Sequence, residues 1–249
     1  MKEWIGMIEV HIHWPRTRDE LEAAQIELGR LEPRPWRPDS GRPLAVAGAF
    51  VAGSTGAVGV GEAGDPLWGA AVLVRAGSDA VRTRDERVVG AGAGAPYSPG
   101  YLALRVGRVL ELAIASLDER PDVVLVDATG RDHPRRAGLA LHIGAALDLP
   151  SVGVTDRALL ASAAVPADEP GSSTALWLRG EVVGVCLRTR AHARPVLVHA
   201  GWRTDPETAA GIVMLVTGHA RTPEPIRRAR RLARQARAID EGRVAYVPS

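Results

Sequence analysis

An apolar run ending on a carboxylate, VVLVD at 123–127, is followed by a turn and then by His133, Pro134, Arg135 and Arg136. In sheets covered by helices, ligands bind beyond the C-terminal ends of parallel strands, and Asp127 stands at such an end. It can hold a divalent cation against a phosphate, or simply serve the turn as a local acceptor. His133 can donate to a phosphate oxygen or pack within the same turn. The helical pattern of 133–148 enters through proline, which the first turn tolerates. Arg135 and Arg136 are therefore expected in that turn, where unpaired N–H groups attract anions and the helix dipole disfavours cations. Two arginines at that end make sense if an anion sits between them.

Other motifs carry less. GAGAGA at 90–95 matches the loose dinucleotide fingerprint, but Pro96 and Pro99 follow where a helix would have to start, which favours a flexible loop. His11 and His13 alternate along a possible strand and share a face, with no third ligand near them in sequence. The segment 221–237 holds seven arginines and one acid, a basic helix that is either a solvated face or a nucleic-acid contact through Arg227, Arg228 and Arg231.

These residues need elements to position them. A helical pattern covers 17–31, and a Pro-rich connector covers about 32–43. Segments 44–52, 67–75 and 80–92 are expected as an antiparallel meander. The strongest helical spacing runs over 99–119. Short, continuously apolar strands, buried on both faces, are expected at 122–127 and 150–154. Two strands joined at Arg179-Gly180, a strand at 195–201, a helix at 205–218 and the basic helix at about 223–238 complete the chain. A meander followed by alternating strands and helices indicates an α/β fold with one mixed sheet in a single domain over 1–249.

Composition excludes several classes. The chain has 249 residues, 46% hydrophobic and 24% charged, with a net charge of +2, which is ordinary for a globular protein. No stretch is long enough to span a bilayer, the opening lacks the apolar run of a signal peptide, and no membrane partner is expected. The single cysteine, Cys186, excludes an internal disulfide and fits a reducing, cytoplasmic setting. Lys2 is the one lysine; the other cations are arginines, suited to bidentate phosphate contacts, although a GC-rich genome would produce the same bias.

Taken together, AAQIELGRL, LAVAGAF, PYSPGYLALR, the block DVVLVDATGRDHPRRAGLALHIGAALDLPSVGV and GHARTPEPIRRA resemble the endonuclease V family, which nicks nucleic acid beside deaminated purines such as inosine. The resemblance implies a ribonuclease H-like mixed sheet with helices on both faces. It also implies a DNA or RNA partner and an Mg²⁺ or Mn²⁺ cofactor that activates water for phosphodiester hydrolysis. Carried over position by position, one family acid persists, Asp127. The first-strand aspartate falls on Phe50, the helix glutamate on Val106, the lysine on Asp156 and a C-terminal histidine on Trp202. His219 is no displaced substitute, because its own segment aligns further along. Asp156 offers one alternative, a relocated site with Asp127.

The substrate-facing features persist: Pro96, Tyr97, Pro99 and Gly100 of the family's wedge, with Ser98 for its isoleucine, and Gly130, His133, Pro134, Arg135, Arg136 and Gly138 beside the base pocket and phosphate. The resemblance thus implies recognition of deaminated bases, with metal-dependent cleavage argued against by the replaced ligands. The alternatives are a catalytically inactive nucleic-acid-binding homologue and a protein-interaction scaffold.

Overall fold

The computed structural model describes residues 14–39, 41–77 and 80–243. His11 and His13 lie outside the described residues. One eight-stranded sheet runs through the molecule in the order β3-β2-β1-β4-β5-β8-β7-β6. Strands β1 (Leu44–Gly53), β2 (Pro66–Ala76) and β3 (Val81–Gly92) form the expected antiparallel meander. β4 (Val123–Val126) and β5 (Ser151–Thr155) then add in parallel to β1, and every residue of β4 is buried. β8 (Val196–Ala200) lies antiparallel to β5, followed by β7 (Glu181–Leu187) and β6 (Ser173–Leu178). Arg179 and Gly180, both at positive φ, make the tight β6–β7 turn.

Helices cover both faces. α1 (Arg18–Arg30), α2 (Leu102–Ala115) and α3 (Leu139–Leu147) enclose one core, and α4 (Pro206–Leu215) and α5 (Glu224–Asp240) the other. Alternation along β1 assigns its side chains: Ala45, Ala47 and Ala49 belong to the first core, while Val46, Phe50 and Ala52 meet the second. The basic helix α5 is seated by Ile226, Ala229 and Ala233, all buried, so its arginines project around and beyond the sheet. Its start lies directly on β1: a Cβ on Gly48 would stand 2.3 Å from the Pro225 carbonyl carbon. Glycine there lets the α5 backbone approach and sets which later α5 residues reach the strand ends.

Three expectations are corrected. Gly90, Ala91 and Gly92 are the last residues of β3, paired to β2, rather than part of a flexible loop. α2 begins only at Leu102, because Gly100 (φ 79°) turns the chain first. α3 begins at Leu139 with Gly138 as its N-cap, so Arg135 and Arg136 precede the helix. Arg136 at φ 59° interrupts helical geometry, and the Arg136 N–H donates to the His133 carbonyl at 2.9 Å to close a turn instead.

His142 of α3 is fully buried, stacked on Trp14 at a 4.7 Å centroid separation, and neither ring nitrogen has a partner among the described residues. Burial pushes its pKa down to about 4. The folded state therefore holds it neutral while the unfolded chain takes up a proton below about pH 6.5. Stability from this neutral form is present above that pH and is lost as pH falls toward 4, by about 3 kcal/mol. His142→Phe keeps the stack and removes the titration. Urea unfolding at pH 7 and pH 4.5 is expected to show a shallower acid loss in the variant than in the parent.

Candidate nucleic-acid site at the strand ends

The site lies where β4 and β5 end. Asp127 follows β4 directly, and Phe50 lies on the adjacent β1, one residue beyond the Ala49–Val126 pair. Both alternate toward the α5 side. Arg230 of α5 donates from a terminal guanidinium nitrogen to Asp127 Oδ2 at 2.8 Å, and its guanidinium stands 5.3 Å from the centre of the Phe50 ring. Arg234, one turn later, lies over the same ring at 5.8 Å. The apolar ring that replaces a carboxylate thus presents its π face to two cations, an attraction that strengthens where water is excluded.

This arrangement does not fit a divalent cation. Asp127 already has a full positive charge against it, Phe50 supplies no ligand, and Val106 is buried in the core beside α2's other apolar residues. Among the described residues, no three His, Cys, Asp or Glu side chains come together as a metal site. At an effective dielectric of about 20, a dication within about 5 Å of a guanidinium is opposed by roughly 7 kcal/mol.

Two carried-over positions prove to be elsewhere. Asp156 is half exposed and pairs with Arg221 at 2.6 Å, outside the pocket that Asp127 lines, so the relocated site with Asp127 is not formed. Alternation explains it: Thr155 turns toward the pocket and Asp156 away. Trp202 lies beside the start of β5, at the opposite end of that strand from Thr155, packed on Leu28, Ala137, Leu141 and Ala145. The C-terminal residue that does reach Asp127 is Arg230, which the motif comparison missed.

On the α1–α2–α3 side of Asp127 is a cavity of about 220 Å³, lined in part by Tyr97, Gly100, Asp127, His133, Gly138 and Thr155. Sites for drug-sized ligands run to roughly 300–1,000 Å³, so this one suits a single flat group such as a base. Tyr97 stands exposed at the mouth, flanked by exposed Pro96 and Pro99, and its backbone N–H donates to the Val60 carbonyl at 2.7 Å. Across the mouth, Leu159 and Leu160 are also exposed. Asp132, fully buried, fixes that lip by accepting the backbone N–H groups of Leu159, Leu160 and Ala161 at 2.7, 2.8 and 2.8 Å.

Of the two roles open to His133, the structure shows the one within the turn, as a tether. Its Nδ1 accepts the Arg135 N–H at 3.2 Å, so Nε2 carries the proton and donates to the Gly100 carbonyl at 3.0 Å. Burial, first among the causes, lowers its pKa and favours this neutral form. The same Gly100 carbonyl accepts from Gln25 of α1 at 3.2 Å, and Gln25 in turn accepts from Arg135 Nε at 2.8 Å. Arg135 also lies 4.8 Å over the Tyr101 ring, and Arg136 pairs with Glu181. Neither arginine is placed to receive an anion at a helix end. They tie the segment before α2, α1 and the β6–β7 hairpin to the turn that follows β4. Pro134 is exposed, while Gly130 and Gly138 are buried and joined by a 2.8 Å backbone hydrogen bond.

Gln25, Thr155, Asp132 and Arg230 are the site residues that the motif reading did not single out, although Gln25 and Asp132 lie within the matching segments. Gln25 carried a signal, since it stands at a buried spacing between Leu21 and Leu28 of an amphipathic helix. The others depend on register and helix phase.

A mixed sheet with a 1-2-3 meander, parallel β4 and β5, helices on both faces and an acid at the strand ends defines a ribonuclease H-like fold. The model of the endonuclease V family matches residues 44–231, and the chain belongs to that family. Endonuclease V of Roseiflexus sp. strain RS-1 is 44% identical over 142 residues, which is 57% of this chain and 64% of that protein, so the match spans less than two thirds of that relative. Endonuclease V from Streptomyces avermitilis superposes with a TM-score of 0.80 at 31% identity, covering 93% of this chain and 96% of that one. Endonuclease V of Ciona intestinalis, solved with a 24mer DNA containing an inosine followed by a ribo-adenosine, shares the fold at a TM-score of 0.67 and 23% identity, covering 88% and 96%. No helix among the described residues is long and apolar enough to cross a membrane.

Proposed function

We propose that this chain recognises a deaminated purine in DNA or RNA and holds it without metal-dependent cleavage. The observation that carries this reading is the Arg230–Asp127 pair beside Phe50, which puts a fixed guanidinium next to the one remaining family acid. A base taken out of the stack would enter the 220 Å³ cavity, with the Tyr97 ring free to stack where it left. Unstacking costs a few kcal/mol, least at mismatched or single-stranded positions, and stacking returns roughly 1–3 kcal/mol per base. The adjacent phosphate would meet Arg230 and Arg234, and no cation is needed to neutralise it.

Inosine-containing and control oligonucleotides, incubated with EDTA, Mg²⁺ or Mn²⁺ and followed by gel shift and nicking, test this. The expected result is a shift selective for inosine in all three buffers, with intact strands. Metal-dependent nicking contradicts it, and absence of any shift would favour a protein-interaction role instead.

The basic helix makes a separable contribution. Arg227 and Arg228 are both tied to Glu224, whereas Arg231 and Arg234 are exposed. Arg231→Ala with Arg234→Ala is expected to lower the log K against log[salt] slope by about 2 on duplex, and Arg227→Ala with Arg228→Ala to leave it nearly unchanged. Equal slopes for the parent and the first variant would remove α5 from the interface.

A further inference from the structure

Beneath the pocket wall lies a polar chain that neither the fold nor the lone acid requires. His199 of β8 is fully buried, with Nε2 2.8 Å from Thr155 Oγ1 and Nδ1 4.0 Å from Asp132. Thr155 ends β5, the strand paired with β8, and lines the cavity. Its hydroxyl oxygen is also 2.8 Å from the Arg157 carbonyl, which can only accept, so the hydroxyl hydrogen is committed there.

That commitment fixes the rest. Burial depresses the His199 pKa to about 4, so the ring is neutral and has one N–H. With the threonine hydrogen already used, the N–H must be at Nε2 and donate to Thr155 Oγ1. Nδ1 is left as a buried lone pair, in keeping with its lack of a hydrogen-bond partner among the described residues. Thr155 then has its donor used, one acceptor position filled and one acceptor position open. A threonine on a free surface would turn its hydroxyl to suit either kind of ligand atom. Here rotation would forfeit the bond to the Arg157 carbonyl and leave two oxygens 2.8 Å apart with no hydrogen between them, while His199 would go on donating to Oγ1.

We infer that Thr155, whose hydroxyl hydrogen is held by the Arg157 carbonyl while its oxygen accepts from His199, is a specificity-determining residue that selects a ring N–H on the bound base. This rests on the base-binding reading above. Deamination of adenine turns a ring nitrogen from acceptor into N–H and an exocyclic amine into a carbonyl. An obligate acceptor in the wall therefore favours the deaminated edge and opposes the adenine edge, where two lone pairs would face each other. The lock is unlike a general-base relay, because the threonine proton points away from His199 toward a carbonyl.

The test compares equilibrium binding of otherwise identical oligonucleotides bearing inosine or adenosine at one position. In the parent, inosine should be preferred. Thr155→Val removes the acceptor at nearly constant volume and should cut the inosine-to-adenosine preference by roughly tenfold, mainly by weakening inosine. Thr155→Ser should retain the preference. A Thr155→Val protein with the parent's preference, or one weakened equally for both bases, would overturn the assignment. A parent with no inosine preference would instead overturn the base-binding reading beneath it, so the two failures are distinguishable.

Discussion

Arg230→Ala is expected to weaken binding of inosine-containing oligonucleotide by roughly 10–100-fold, the loss of one charge-assisted phosphate contact worth about 1.5–3 kcal/mol. Two effects act in the same direction. The guanidinium that would meet the phosphate is gone, and Asp127, no longer paired at 2.8 Å, presents its charge to an anionic ligand. The second effect gives the prediction its signature: Asp127→Asn added to Arg230→Ala should restore part of the affinity, a non-additive result available from a double-mutant cycle. In a site where Asp127 served a cation, the asparagine would restore nothing. Fluorescence anisotropy in EDTA measures both variants without reference to cleavage.

Tyr97→Ala carries the other large effect. The ring is about half exposed at the cavity mouth, held by its own backbone contact to Val60 and flanked by two prolines that restrict the loop. Little entropy is left to lose when a base stacks on it, so most of the stacking energy should appear in affinity. Loss of roughly 1–3 kcal/mol corresponds to a roughly 5- to 150-fold rise in Kd. Tyr97→Phe should lose little, because stacking uses the ring face. Nearly equal affinities for the parent and Tyr97→Ala would place the base elsewhere.

The sheet was legible because its signals are local. The apolar runs at 44–52 and 67–75 and the uninterrupted apolar run at 123–126 each mark a strand without reference to the rest of the chain. The α3 boundary was not, because the apolar periodicity of 133–148 does not reveal that Arg136 adopts a left-handed conformation. Asp127 was found from its place at a strand end, and the loss of its companions from Phe50 and Val106. Its actual partner was hidden: Arg230 lies 103 residues away, and only the seating of α5 on Gly48 determines which of seven nearby arginines faces the acid. The Thr155–His199 contact likewise depends on the antiparallel pairing of β5 with β8, which no spacing in the sequence encodes. The arginines of the central block were identified as site residues from their chemistry, and their structural role follows from Gln25, Tyr101 and Glu181, residues drawn from three other elements.

The central claim is that a guanidinium occupies the electrostatic position beside Asp127 that a metal would need. Crystals soaked in Mn²⁺ and measured at the manganese absorption edge test it without any substrate. The account predicts an intact Arg230–Asp127 pair with no anomalous peak at the carboxylate. A manganese ion coordinated by Asp127, with Arg230 swung aside, would contradict it.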